Sequence, residues 1–511
     1  MKVFSSEQIR RWDQYTIEYE PIAGIQLMER AAGACVHHIL ETYSGEDIVI
    51  FCGLGNNGGD GLAIARILWE RKGITPTVIL FSKGNGSPDY HTNLERWLSI
   101  AGVTYFDPDS KPLLDGKIVI DAMFGNGLNK PLSGKYLDAT IEINNSKGYV
   151  ISIDLPSGLY CDKSSVGNTI VKAHETLTFQ NMKPGLLMPE NEPYFGIVTR
   201  ININLSSEFE IAEPCSCYYT EASDAGAIYR PGNRFAHKGD FGHAALITGS
   251  YGMMGASVLS AKGCLRSGVG KLTCIIPEEG YAIMQTAVPE AMCRVAGKYA
   301  LSSEVDTENF DVVGIGPGIG NLDEHAALLR KIFLQQKKPV VIDADAINVT
   351  SQHPDLIKLI PANSILTPHP GEFRRLFGRA DNNFEERRLA IQKAKELQII
   401  IVLKGRYTFI ATPEGTGHFN STGNPGMATG GSGDVLTGIL TGLLARGYKP
   451  REAAILGVYL HGLAADIASS TLSEESLIAG DIPDFLGKAF LYLSAGQPPQ
   501  STSGYAKTPT Y

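Results

Sequence analysis

The sequence predicts an α/β protein with mainly parallel sheets, built as two successive domains. Three observations predict it. Short apolar strand candidates alternate with helix-length segments, the rhythm of a parallel sheet covered by helices. The rhythm breaks once, over 205–220, where SSEFEIAEPCSCYYT is polar and contains a proline, and then restarts. At 511 residues the chain is several times the usual size of one domain.

In chain order, residues 1–43 read as helical. Ser5 with Gln8 makes a capping box, and 24–43 carries apolar residues at helical spacing. DIVIFC (47–52), TVILF (77–81), KIVIDAMF (117–124), YVISIDL (149–155) and IVTRINI (197–203) are the strands expected before the break, with a glycine loop and the helix LAIARILWERKG after the first of them. A domain boundary is expected at 213–220. Beyond it come HAALITG (243–249), KLTCIIP (271–277), FDVVGIG (310–316), PVVIDAD (339–345), SILTP (364–368), IIIVLKG (399–405) and YTFIAT (407–412), closed by helices over 434–447 and 450–470. Residues 496–511, rich in Ser, Thr, Pro and Gly, are expected to be a disordered tail. No internal repeat is present.

Bulk composition narrows the function classes. Hydrophobic residues make up 43% and charged residues 19%, ordinary for a protein with real cores. The formal net charge is −9 with no basic block, which argues against a nucleic-acid partner. Single lysines and helix-terminal N–H groups can still hold phosphate in an acidic protein. The eight cysteines show no CxxC and no zinc-type spacing, and read as reduced cytosolic thiols. No signal peptide and no run of about 18 apolar residues stand out, so a cytoplasmic protein without a membrane partner is the expectation.

Two glycine-rich segments carry the chemistry. In the first, 53–61 (GLGNNGGDG), five glycines in nine residues lie between a strand and a helix. Such a loop lets the backbone approach a ligand and aims N–H groups at it, as for a dinucleotide pyrophosphate. A tight turn is the plainer explanation, but a turn needs neither the two asparagines nor Asp60. Asp121 and Asp154 stand at two other strand ends, where the ligand crevice of a parallel sheet lies. Asn57, Asp121 and Ser157 offer only oxygen ligands, suited to a hard cation and not to zinc.

In the second, GGSGD (430–434) opens a helix. The N–H groups of Gly431, Ser432 and Gly433 would face an anion, and Asp434 would take the proton of a hydroxyl attacking phosphorus. Alone, Asp434 reads equally as a first-turn acid stabilising its helix. Lys404 ends a strand within reach of a phosphate, GIGPGIG (314–320) could wall a cleft, and two prolines hold His369 rigid in LTPHPGEF (366–373). Asp343 and Asp345 sit at another strand end. His461, inside an apolar helix, reads as a core histidine with a satisfied hydrogen bond. There is no GxxxxGK[ST] segment, which excludes a P-loop.

These residues resemble known families. GLGNNGGDG, DAMFGNGL (121–128), SIDLPSGL (152–159) and TFQNMKPGL (178–186) resemble the NAD(P)H-hydrate epimerase domain over residues 1–213. The resemblance implies a Rossmann-like three-layer α/β domain that interconverts the R and S forms of hydrated NADH or NADPH. It implies that Asn56, Asn57, Gly58, Gly59 and Asp60, with Gly125, Asn126, Gly127, Leu128, Asn129, Lys130 and Pro131, hold the dinucleotide. Asn57, Asp121 and Ser157 would then hold potassium, and Asp154 would face the hydrated ring as the catalytic acid–base group.

HKGDFGHAALITGS (237–250), GIGPGIG, VIDADAIN (341–348), LTPHPGE, VLKG and NPGMATGGSGD (424–434) resemble the ADP-dependent NAD(P)H-hydrate dehydratase, with a ribokinase-like α/β domain over 220–492. This resemblance implies Asp434 as catalytic base, and Ala256, Gly318, His369 and Asp434 around the S hydrate. It places ADP on Lys404, Gly405, Arg406, Tyr407, Thr408 and Gly433, with Mg²⁺ on the phosphates. Both halves in this order resemble the fused NAD(P)H-hydrate repair family, and a homo-oligomer is expected. Two rivals stay open: a ribokinase-like kinase of a vitamin precursor with a regulatory dinucleotide-binding domain, and a first half that only binds ligand or assembles.

Overall fold

The computed structural model describes residues 1–43, 47–110 and 112–495. The tail expected at 496–511 lies outside the described residues. The chain divides into two compact units: Lys2–Cys215 with Asn382–Phe384, and the remainder.

The first unit opens with α1 (Ser6–Tyr19) and α2 (Gly24–Thr42). The expected capping box is present: Ser5 Oγ accepts from Gln8 N, and the Gln8 side chain accepts from Ser5 N. The strands are β1 (Ile48–Cys52), β2 (Thr77–Leu80), β3 (Thr104–Tyr105), β4 (Ile118–Ala122), β5 (Tyr149–Ile153), β6 (Glu175–Phe179) and β7 (Ile197–Ile201). They form one wholly parallel sheet in the order β3-β2-β1-β4-β5-β6-β7.

Alternation along β1 makes three layers of it. Val49 and Phe51 join the cluster that holds Ala139 and Ile143 of the helix Lys135–Asn145. On the other face, Ile50 and Cys52 meet α3 (Asn56–Lys72) at Gly61. The fold is thus Rossmann-like. Strand order reverses between β1 and β4, which puts the ligand crevice beyond their carboxyl ends.

The glycine segment differs from the loop expected over 53–61. The helix α3 already starts at Asn56, so Gly58, Gly59 and Gly61 are helical. A Cβ on Gly58 would lie 1.7 Å from Gly53 O, and one on Gly61 2.7 Å from Ala122 Cβ. These glycines let the helix sit directly on the sheet, so close packing demands them as much as ligand approach does. The strand β6, ETLTF, had no strand-like apolar pattern in the sequence. Its Glu175 is buried but accepts from Tyr43 Oη, Thr199 Oγ1 and pairs with His38, so the polarity is satisfied inside the fold.

The second unit has ten strands: β8 (Cys217–Thr220), β9 (His243–Ile247), β10 (Lys271–Ile276), β11 (Met292–Val295), β12 (Val312–Ile315), β13 (Val340–Ile342), β14 (Ile365–Leu366), β15 (Ile400–Leu403), β16 (Phe409–Ala411) and β17 (Gly417–Asn420). Their order is β11-β10-β9-β12-β13-β14-β15-β16-β17-β8. Only β15–β16 and β16–β17 are antiparallel. The polar stretch read as a boundary contains β8, which pairs with β17 along the sheet edge.

The helix expected over 434–447 runs Ser432–Ala445. It packs on the helix Met254–Arg266 so closely that a Cβ on Gly438 would lie 1.9 Å from Ser260 O. The next helix, Pro450–Leu472, is long and apolar enough to cross a membrane, an exception to the expectation from sequence. It is buried within the unit as its central core helix, which explains the composition.

Candidate active sites

In the first unit, Asp154 directly follows β5 with φ of 67°. A non-glycine residue rarely adopts this conformation, and strain of about 1–3 kcal/mol at such a position is characteristic of sites that aim a side chain. Its Oδ1 lies 2.7 Å from Lys183 Nζ, and its Oδ2 accepts from Asn126 N at 3.1 Å. Lys183 is only 1% exposed, and its ammonium also donates to Phe179 O at 2.5 Å. The pair sits in a cavity of about 140 Å³ that Asp13, Asp60, Asp89, Asn56 and Asn126 also line.

Four carboxyl groups and one ammonium therefore share a small space. Burial, then Asp154, Asp13 and Asp89, push the Asp60 carboxyl well above the usual range. Burial and the Asp154 charge push Asp13 up to about 7, with Lys183 pulling the other way.

Asn57 reaches the same region. A Cβ on Gly125 would lie 3.0 Å from Asp154 Oδ2 and 3.1 Å from Asn57 Oδ1, so both side chains close tightly on this glycine. The buried Asn57 Nδ2 has no hydrogen-bond partner. Of the loop 125–131, Asn126 lines the cavity, while Gly127, Asn129, Lys130 and Pro131 are exposed. Gly58 and Gly59 are buried in packing, and a Cβ on Gly59 would lie 2.8 Å from Met28 Sδ.

Asp121 and Ser157 are brought together. Ser157 Oγ donates to Asp121 Oδ1 at 2.6 Å, and Ser157 N and Ser152 Oγ donate to Oδ2. Burial raises the fully enclosed Asp121 against these bonds, and no basic side chain is among the groups acting on it. A buried carboxylate served only by neutral donors fits a nearby cation. Asn57 is not in hydrogen-bond contact with either residue.

In the second unit, a cavity of about 510 Å³ is lined by Lys404, Gly405, Arg406, Thr408 and Gly433, five of the six residues expected around a nucleotide. Tyr407 is absent from the lining; its ring meets Tyr219 edge-on at 5.7 Å. The loop 423–427 forms another wall, held by Asp466, which accepts from Gly423 N and Asn424 Nδ2. Lys404 Nζ contacts Asp343 Oδ1 at 2.7 Å, and Thr437 Oγ1 donates to Asp343 Oδ2 at 2.7 Å. A Cβ on Gly433 would lie 3.3 Å from Lys404 Nζ, so the helix N-terminus closely approaches the lysine.

Asp434 stands one residue on. Burial, Asp343 and Asp345 push its carboxyl up to about 7, with Lys404 opposing. A carboxyl with that value is half ionised near neutrality, as a general base requires. Ala256 and Gly318 touch each other: a Cβ on Gly318 would lie 3.0 Å from Ala256 Cβ. His369 caps the helix Pro370–Phe377, its Nδ1 accepting from Gly371 N at 2.9 Å, and the ring stays half exposed. Neighbouring Glu372 is raised by burial, offset by Lys404.

Several of these residues were not read as functional. Asp13, Asp89 and Lys183 had no assigned role, although Lys183 lies in TFQNMKPGL. An acid at position 13 beside the buried Ile9, Trp12 and Thr16 was the faint signal for Asp13. His461 is a buried helix histidine, as expected, and its ring makes a hydrogen bond with the Ser432 backbone. It borders the nucleotide-sized cavity, and its buried Nε2 has no partner. Burial lowers it to about 4, so it stays neutral.

Comparison with known proteins accounts for both units. A family described as NAD(P)H-hydrate dehydratase matches residues 244–483, and one described as YjeF-related protein N-terminus matches 24–185. The bifunctional NAD(P)H-hydrate repair enzyme of Moorella thermoacetica is 33% identical over 508 residues, covering 95% of this chain and 96% of its own. That of Coxiella burnetii is 34% identical, covering 94% and 97%, and that of Escherichia coli 30%, covering 94% and 92%. Among solved structures, the ADP/ATP-dependent NAD(P)H-hydrate dehydratase of Bacillus subtilis, crystallised with ATP and Mg²⁺, aligns at 32% identity with a TM-score of 0.49. It covers 54% of this chain and 98% of that one.

Proposed function

The chain belongs to the family of bifunctional NAD(P)H-hydrate repair enzymes, and from that premise we propose how its two sites divide the work. The first unit is the epimerase, interconverting the R and S hydrates of NADH and NADPH. The second is the dehydratase, which returns the S hydrate to NAD(P)H at the expense of ADP. Identity of 33–34% across about 95% of the chain carries this reading, supported by an acid-lined cavity in the first unit and, in the second, a cavity lined by Lys404 and Gly433 next to Asp434.

For the second site, Asp434 is the base that takes the proton of the C6 hydroxyl. The freed oxygen attacks the β-phosphorus of ADP, and AMP leaves. The ring nitrogen lone pair then expels phosphate, a far better leaving group than hydroxide, and NAD(P)H results. Lys404 and the N–H groups at the start of the helix Ser432–Ala445 orient the phosphates. Gly405, Arg406, Tyr407, Thr408 and Gly433 hold the rest of the nucleotide, and Ala256, Gly318 and His369 the hydrate.

Asp343, Glu372 and Asp434 surround the Lys404 ammonium, and Asp345 adds its charge to Asp434, a poor host for a polyanion alone. That surplus fits a divalent cation, and Asp343 and Asp345 are the residues that would hold Mg²⁺ with the nucleotide. The ion would neutralise charge on the phosphates.

For the first site, Asp154 moves the proton at C6, with Lys183 keeping it oriented. Asn56 to Asp60 and the loop 125–131 hold the dinucleotide. Asp121 and Ser157, with Asn57, are assigned to potassium, which would fix the loop between β4 and its helix. The domain limits 1–213 and 220–492, a homo-oligomeric state and a cytoplasmic setting belong to the same reading.

Product analysis tests it. Incubation of the S hydrate with ADP should yield NAD(P)H, AMP and inorganic phosphate. A stable phosphorylated product would instead establish the kinase reading.

A further inference from the structure

Reversing the configuration at C6 by loss and return of water takes a proton given to the departing oxygen and a proton taken from the arriving one. The proposed function supplies one group for this, Asp154, and the structure offers a second. Asp13 projects from α1 into the cavity that Asp154 and Lys183 line. The helix is fastened at two points: Ser6 Oγ donates to Asn126 O at 2.7 Å, and Trp12 Nε1 donates to Ser206 O at 2.7 Å. Asp13 follows Trp12 directly, so its place in the cavity is fixed by both anchors. The helix α1 also precedes the span 24–185 matched by the family of the first unit.

We propose that Asp13 is a second catalytic residue of the epimerase, the general acid that complements Asp154 as base. The inference rests on the epimerase assignment and adds to it.

The environments of the two carboxyls differ in the way such a division needs. Asp154 is ion-paired with Lys183 at 2.7 Å. Asp13 has no ion pair among the described residues. It faces Asp60 from α3, Asp89 from the helix Pro88–Leu98, and Asp154, with Lys183 the single cation lining the cavity among the described residues. Burial and the charge of Asp154 raise it to about 7. Around neutral pH and below, Asp13 therefore keeps a proton to give, beside the ion-paired Asp154.

The step balances as follows. The ring nitrogen lone pair forms the C6–N double bond as the C6–O bond breaks, and the Asp13 proton goes to the departing oxygen, releasing water. A second water attacks C6 from the other face. Its proton goes to Asp154, the new C6–O bond forms, and the double-bond electrons return to nitrogen. Proton exchange with solvent returns both carboxyls to their starting states. No oxidant or further reactant is needed.

The test uses the full chain with purified R hydrate, ADP and Mg²⁺, so that NAD(P)H appears only after epimerisation. Dehydration of the S hydrate in the same preparation serves as the internal reference. Asp13→Asn should lower kcat for the R hydrate by about 100-fold or more, the contribution of a positioned acid, with little change in KM. In the wild-type protein, kcat should fall as pH rises past about 7, because the acid must be protonated. Asp13→Glu should restore activity together with that falling limb, whereas Asp13→Asn should lack it.

Equal rates in the wild-type and Asp13→Asn proteins would overturn the inference while leaving the epimerase assignment intact. So would a loss of rate with the falling limb retained, since that marks a structural role. A wild-type protein unable to epimerise the R hydrate would defeat the assignment itself.

Discussion

Replacing Asp434 with Asn should abolish dehydration and, at the same time, make the nucleotide-free protein more stable. Both effects come from one feature of the structure, a carboxyl pushed up to about 7 by burial, Asp343 and Asp345. As a base it works only when ionised, so dehydration should rise with pH, by about tenfold between pH 6 and 8, and level off above. Losing it should cost about 10²- to 10⁴-fold in kcat, or about 3–5 kcal/mol of barrier.

The stability effect follows from the same displacement. A carboxyl near 3.8 unfolded and about 7 folded binds more protons in the folded state over the interval between. Below pH 3.8 the group costs nothing, because both states are protonated. As pH rises toward 7 the unfolded state ionises first and folding is penalised, up to a ceiling of about 4 kcal/mol. Asn removes that penalty. Thermal melting of Asp434→Asn at pH 7.5 should therefore lie above wild type, with the gain vanishing near pH 4. Initial rates of dihydronicotinamide appearance from the S hydrate measure the other half. Retained dehydration, or a melting temperature below wild type at pH 7.5, would refute the reasoning.

Lys183→Met leaves Asp154 buried without its cation, and should destabilise the first unit by about 3–5 kcal/mol while slowing epimerisation, read by urea unfolding and R-hydrate turnover. Gly58→Ala should cost about 3 kcal/mol or more, because its Cβ would meet Gly53 O at 1.7 Å, whereas Gly55→Ala, with nothing within 4 Å, should be nearly neutral; melting temperatures compare them. His461→Phe keeps an apolar wall but removes the unpartnered Nε2, and should weaken ADP binding by about tenfold in calorimetry.

The alternation of apolar strands and helices was legible because buried parallel strands such as IVIFC are continuous apolar runs. The strand β6 was not, since Glu175 and its partners satisfy their polarity only through residues distant in sequence. Composition revealed that 53–61 was special but not that its glycines lie inside a helix pressed on Cys52 and Ala122. Asp154, Lys404 and Asp434 were legible as polar groups at strand and helix ends. Asp13 and His461 were not, because each looks like an ordinary member of a buried helix face until the fold shows the cavity in front of it.

The central claim is that two separate sites act in sequence on one damaged cofactor. The most direct test gives Asp154→Asn and wild-type chains the same mixture of R and S hydrates with ADP and Mg²⁺. Wild type should convert the whole mixture to NAD(P)H. The variant should stop near the fraction initially present as S, apart from slow uncatalysed interconversion. Complete conversion by Asp154→Asn at the wild-type rate would contradict the account.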